Sequence, residues 1–425
     1  VTPGQQQIVM SRPIDFGIGG SGLLTGLQVQ GAEFNGAGFD FTYPITAEQV
    51  RIKDTVTTAN DYRGTAQAKL TYTSPSVKIT RKSNGLWTAN TLGDLPFHWD
   101  ASGAPMGLLI EPARTNVVLW NSDLTNAAWV RTTLNVAKSA TGPDGVANSA
   151  TLCTATAANA TVMQAITSAS GFKLTSMFVK RRTGSGTINI TQDTGTVWTA
   201  VTVTNDWTRV QSSFQSLSNS QSGLRIVTSG DEVEVALFQQ EVVGGPGAGA
   251  VITTPIVTTT ASVTRAIDNI SIVTSALPFS TTTGTIIATY YFEGFMSDAQ
   301  GKIWALNDGT ANERMSCAAP ANSSGQKQYF YTVDGGVDQQ LTFTSTLVTA
   351  ATLLKGAAAW AVNDFAVLLN AGGAGTDTAG TLPTVTKLEF GYDTTTATSP
   401  LNGYLQKLVY IKRRLANAEL QEVTR

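Results

Sequence analysis

Asp231-Glu232-Val233-Glu234-Val235-Ala236-Leu237 alternates acidic and apolar side chains with a period of two. Successive side chains of a β-strand point to opposite faces, so Val233, Val235 and Leu237 share a buried face and the carboxylates read as a solvated one. The same period runs through the neighbouring sequence, at Ile188 and Ile190, at Val201 and Val203, and at Val210, Ser212 and Phe214. Turn residues separate these runs at Gly184-Ser185-Gly186, Asn205-Asp206, Ser229-Gly230-Asp231 and Gly244-Gly245-Pro246-Gly247. Strands at intervals of about 8 to 12 residues, with almost no helical periodicity, predict an antiparallel sandwich or jelly roll.

A second β block follows. Ile286, Ala288, Tyr290 and Phe292 form one face of a strand, and Asp334-Gly335-Gly336 predicts a hairpin between the runs at Tyr329 to Val333 and Leu341 to Phe343. Phe365, Val367 and Leu369 form another strand, and the apolar run from Leu405 to Ile411 suits a central one. The last residues turn helical, with Leu415, Ala418 and Val423 on one face. Residues 1 to 60 differ: Gln5-Gln6-Gln7 and the run Gly17 to Gly22 build little core and suit an arm that orders against a partner.

Only 14% of the 425 residues are charged, against about 25% in ordinary domains, and the net charge is -2. No basic field attracts a phosphate backbone, so nucleic acid is not an expected partner. The apolar runs fall short of the roughly 20 residues that span a bilayer. Val1 to Met10 has no charged region followed by an apolar one, so neither export nor membrane insertion is indicated. Cys153 and Cys317 are far apart and read as free thiols, consistent with maturation in a reducing compartment.

Between residues 106 and 120, Met106-Gly107-Leu108-Leu109-Ile110-Glu111-Pro112-Ala113-Arg114-Thr115-Asn116-Val117-Val118-Leu119-Trp120 joins two apolar runs through a polar knot. Pro112 fixes one φ and removes a donor, which predicts a bend. Glu111 and Arg114 are close enough in sequence to hold that bend from inside by a bidentate contact. Trp87, Trp99, Trp120 and Trp129 are half of the eight tryptophans and predict a compact core around it.

Gly107 to Asn116, followed by Asn121-Ser122 and Trp129, resembles a signature of bacteriophage head or tail fibre and spike proteins. Ser262-Val263-Thr264-Arg265-Ala266-Ile267-Asp268 fits the same pattern, as do Leu401-Asn402-Gly403-Tyr404 and Arg413 to Leu420. The resemblance covers residues 62 to 425. It implies tandem β-sandwiches, one like a carbohydrate-binding module and one concanavalin- or laminin-G-like, in a virion protein that binds host-surface polysaccharide. It implies a homo-oligomer, most often a trimer, assembled in the bacterial cytoplasm and carried on the virion surface. Such proteins usually carry Ser where Ala416 stands, so Glu419 lacks its capping partner and the terminal helix should be short and frayed.

The division expected is an N-terminal arm at 1–60 for virion attachment or oligomerisation, a β-rich connector with the bend at 61–135, and a first sandwich at 136–257. A linker at 258–268 and a second sandwich with the helix at 269–425 complete it. The fold class is all-β, tandem antiparallel sandwiches behind a Gly-rich arm.

Catalytic and metal chemistry finds little support. His98 is the single histidine, and no Cys or His spacing offers a zinc site. No Gly-x-Ser-x-Gly elbow accompanies it. Asp308, Asn312 and Glu313 lack calcium-loop spacing. No cofactor, metal or catalytic residue is expected. Sugar recognition needs an aromatic ring to stack on a pyranose, with polar groups beside it. Trp198, after Asp193-Thr194-Gly195-Thr196, and Trp304, after Gly301-Lys302, are the leading stacking candidates. Tyr329 and Tyr331 share a face and read as core first and ligand surface second; Trp207 and Trp360 read as core or edge anchors. The rival functions are a purely structural virion decoration and a depolymerase of the same polysaccharide.

Overall fold

A computed structural model describes residues 70–74, 76–243, 251–294, 300–320, 326–396 and 400–425, and the strand backbones Gly38–Thr42, Gln49–Lys53 and Tyr62–Thr65. The architecture is all-β, with one short α-helix among the described residues.

The apolar run at the end of the chain becomes the strand Gly403–Ile411 and sits inside a ten-stranded sheet. Thr283–Phe292 pairs with it on one side, and Leu353–Ala361, Asp364–Leu369 and Gly375–Asp377 continue outward. On its other side, Gly38–Thr42 pairs with residues 407 to 411 and Pro105–Ile110 pairs with residues 403 to 405. A seven-stranded sheet packs against this one in the order Val337–Leu347, Lys327–Asp334, Arg314–Ala318, Lys302–Asn307, Lys387–Phe390, Ile270–Val273, Thr71–Tyr72. Ile286, Tyr290, Trp304, Phe330, Trp360, Phe365 and Leu405 fill the space between them. The hairpin at Asp334-Gly335-Gly336 forms as the sequence predicts, with both glycines at positive φ.

The first sandwich pairs a five-stranded sheet with a six-stranded one. Its core combines Val162, Met177, Ile188, Ile190, Leu224, Val233, Val235 and Phe238 with Trp129. Val233 and Val235 point into this core, but Leu237, at φ +54°, turns away to the outer layer with Ala236 and Phe178, and the acidic face is not solvated. Glu232–Val242 lies between Ala150–Ala155 and Gly171–Thr183, so cations on its neighbour cover that face. Glu234 pairs with Lys180 and Arg182, each at 2.9 Å, and Asp231 pairs with Arg181 at 3.1 Å.

Three features depart from the expected division. The first sandwich begins at Val130, and the segment read as a connector supplies Thr71–Tyr72, Phe97–Trp99 and Pro105–Ile110 to the second sandwich. The linker is itself structured: Val263–Arg265 pairs antiparallel with Arg114–Asn116. Of the arm, residues 1 to 37 lie outside the described residues, while the backbone at 38–42 and 49–53 extends the ten-stranded sheet.

The four tryptophans of the bend region do not form one core. Trp129 enters the first sandwich, Trp87 packs beneath its outer face with Ile79, Phe178 and Leu237, and Trp99 lies against the second core. Trp207 joins the layer of Trp87, and Trp360 is central in the second core. The helix Asn417–Val423 buries Leu420 and Val423, with Leu415 just before it, against Ile287, Ala359, Leu368 and Val409; Ala418 faces solvent instead. Glu419 accepts from the Ala416 N–H at 2.7 Å, which keeps half of a capping box.

Candidate functional site

The bend and the second motif meet in one buried charge network. Glu111 does not pair with Arg114, whose guanidinium turns to the Ala113 carbonyl at 3.0 Å. Sequence proximity misleads here because the antiparallel ribbon brings Arg265 inward, where it pairs with Glu111 at 3.0 Å. Lys78 pairs with the same carboxylate at 3.1 Å and with Asp268. Glu111 also accepts from the Thr254 N–H and hydroxyl at 2.6 and 2.7 Å. Burial alone raises its carboxyl pKa, but Arg265, Lys78 and the Thr254 bonds outweigh that and hold it at about 2.

Asn116 completes the join. Its amide donates to the Phe238 and Ile256 carbonyls, both at 2.9 Å, and accepts from the Val118 and Gln240 N–H groups, both at 3.1 Å. All four positions of the side chain are used. Gly107 lies behind the bend at φ +116°, where a Cβ would stand 2.7 Å from the Leu405 carbonyl oxygen. Its place in the motif follows from that close approach.

Beside this network, a cleft of about 300 Å³ opens between the sandwiches. Trp87, His98 and Tyr404 contribute rings; Arg209, Gln211, Glu293 and Asn402 contribute polar groups. The rings form a continuous bridge: Trp87 meets Phe178 and His98 edge-on at 5.0 and 5.2 Å between centroids, and His98 meets Tyr404 at 5.3 Å. Burial raises the Glu293 pKa, against the lowering effect of its hydrogen bond with Tyr404. Burial lowers that of Arg209 to about 10, which leaves it a cation at neutral pH.

His98 is buried, and its pKa falls to about 4, first through loss of solvation and then through Lys78, Arg81 and Lys82, against the pull of Glu111. Its Nδ1 accepts from the Arg81 N–H at 3.2 Å, which assigns the neutral tautomer. Because the folded value is depressed, the unfolded chain takes up a proton first as pH falls from about 6.5, and stability drops toward pH 4. The expected loss is on the order of 3 kcal/mol, partly offset by Glu293, whose raised value acts in the opposite sense. Urea unfolding in steps from pH 7 to pH 4 should show this slope, and His98→Gln should flatten it; an unchanged slope would reassign the titration.

The four rings proposed from the sequence lie elsewhere. Trp304 is 1% exposed, within the second core beside Phe330 and Trp360. Lys302–Asn307 is an inner strand with apolar residues toward both faces, not a loop, and a register shift between Lys302 and Trp304 turns the indole inward. Trp198 is half-buried, with Arg225 over its ring at 4.5 Å and its N–H donated to the Gly195 carbonyl at 2.6 Å. Tyr329 is buried beneath Lys302 and donates to Gln300; Tyr331 is half-buried beneath Arg314 and donates to Asp338. None of these four lines the cleft. Sequence parity did contain one cue to the cleft. If Val210 and Ser212 face the core, Arg209 and Gln211 must face outward, toward the other sandwich. Among the described residues, no helix is long and apolar enough to cross a membrane, and no three His, Cys, Asp or Glu side chains could together hold a metal ion.

Comparison with protein-family models gives no match, and comparison with curated proteins gives none. Among solved structures, the CBM40 of Ruminococcus gnavus IT-sialidase bound to alpha2,3 sialyllactose overlaps 34% of this chain and 83% of its own, at 14% identity and TM-score 0.29. Domain 4 of AbnA, a GH43 extracellular arabinanase from Geobacillus stearothermophilus in complex with arabinotriose, overlaps 43% of this chain and 86% of its own, at 10% identity and TM-score 0.29. The CBM22-1-CBM22-2 tandem domain of Paenibacillus barcinonensis Xyn10C overlaps 72% and 98%, at 11% identity and TM-score 0.23. Overlaps this loose carry no argument about ligand.

Proposed function

We propose that this chain is a bacteriophage fibre or spike subunit that binds host-surface polysaccharide, with glycan seated in the cleft between its sandwiches. The observation that carries this reading is the chemistry of the cleft: rings for the apolar face of a sugar, and Arg209, Gln211, Glu293 and Asn402 for its hydroxyls. The virion setting rests on the resemblance of residues 107 to 116 and 262 to 268. Modest sites repeated on an oligomer would give tight adsorption through avidity. The reading is of a binder rather than a hydrolase, and it is supported by Glu111, which lines the cleft with Glu293 and has both oxygens engaged by cations and Thr254.

Calorimetric titration of the full chain with host capsular polysaccharide tests this. Wild type should bind saturably without releasing reducing ends, and Trp87→Leu should weaken binding about tenfold, the effect of losing a stacked ring. Unchanged affinity in folded Trp87→Leu would move the site elsewhere. No binding, with adsorption unaltered in particles lacking the protein, would favour a purely structural role.

A further inference from the structure

The cations of the buried network beside the cleft are paired with acids: Lys78 with Glu111 and Asp268, and Arg265 with Glu111. Arg209 is the exception in the cleft. Its Nη2 donates to the Ser176 hydroxyl at 3.1 Å, and its guanidinium carbon lies 5.8 Å from the centre of the Phe178 ring. Nη1 makes no hydrogen bond among the described residues, and Nε is buried and unpartnered. The acids that act on it are engaged elsewhere: Glu111 with Lys78 and Arg265, and Glu241 with Gln239 and Thr253. A guanidinium offers five N–H donors in a planar fork that matches a carboxylate. Most of that fork is unused, in a partly dehydrated cleft where a charge-assisted bond is strong.

We propose that the cleft selects acidic glycans, with Arg209 receiving the carboxylate of a uronic or other carboxylated sugar whose ring packs against Trp87. This rests on the glycan-binding reading and specifies its ligand class. Gln211, exposed beside Arg209 at the cleft, is placed to meet hydroxyls of the same sugar. Glu293 does not oppose the assignment: it is engaged by Tyr404, and its burial disfavours its charge more than that hydrogen bond supports it.

The test compares polygalacturonate and polysialic acid, each in native and carboxyl-reduced form, with dextran as a neutral probe, by calorimetric titration of the full chain. At least one native acidic polymer should bind, and its reduced form should bind about tenfold or more weakly, the worth of one hydrogen-bonded charge. Arg209→Gln should erase that difference, while Arg209→Lys, which keeps the charge without the fork, should retain part of it. Matching thermal midpoints for both variants separate a lost ligand contact from lost packing. Equal binding of native and reduced polymers, or binding of dextran alone, overturns the acidic selectivity and leaves glycan binding intact. Absence of binding to every probe and to host polysaccharide overturns both.

Discussion

Glu111→Ala should cost about 3–5 kcal/mol of stability at neutral pH, read as a lowered urea midpoint with an unchanged slope, because it leaves two buried cations facing one vacated position. Arg265 has no other carboxylate within ion-pair distance among the described residues, and Lys78 is left with Asp268 alone. The Thr254 N–H and hydroxyl lose their acceptor at the same time. Glu111→Gln separates these effects. It keeps an acceptor for Thr254 but removes the charge, so it should fall between wild type and Ala. A loss below about 1 kcal/mol for Ala would place the network in the class of solvent-screened pairs. The acid limb follows from the depressed pKa. The stability from Glu111 is fully present above about 4.5 and is lost as pH falls through about 2, below the window in which His98 titrates.

Trp304→Ala should be comparably severe, at about 3–5 kcal/mol, since it removes a large ring from a closed core. The indole contacts both layers of the second sandwich, with Phe330 on its own sheet and Trp360 on the facing one, at 5.8 and 6.1 Å between centroids. Near-UV dichroism and the thermal midpoint should both fall, and glycan affinity of the protein that remains folded should be unchanged, because the ring does not line the cleft. A stable Trp304→Ala that fails to bind glycan would restore the stacking role expected from sequence. Trp198→Ala is a useful contrast, since that ring is only half-buried.

Most of the fold was legible where polar and apolar side chains alternate, or where an apolar run is bounded by turn residues. The alternation at Ile188 and Ile190 and at Val233 and Val235, the Gly335-Gly336 turn and the apolar run at residues 405 to 411 all specify strands from local pattern alone. Reading failed where an element is covered on both faces. Lys302–Asn307 shows no alternation because neither face is wet, and the carboxylates beside Val233 looked solvated because their cationic partners sit on another strand. The site was harder still. Glu111 lies 157 positions from Asp268, which accepts from its backbone N–H at 2.7 Å, and nothing in either segment names the other. The alternation at Val210 and Ser212 implies an outward Arg209, but only the packing of the two sandwiches turns that face into a cleft wall.

The ribbon between Arg114–Asn116 and Val263–Arg265 has a topological consequence. The chain leaves the second sandwich after Ile110, builds the whole first sandwich, and re-enters at Ile270 through a doorway where departing and returning strands are hydrogen-bonded side by side. The first sandwich is therefore a cassette, a closed excursion whose two ends are fixed together by the host body. Domains whose termini lie close together are those that tolerate insertion and exchange. A lineage with this arrangement can replace one such cassette with another and so alter one wall of the cleft, provided the newcomer again meets Asn116 and Glu111 as Phe238, Gln240, Ile256 and Thr254 do here.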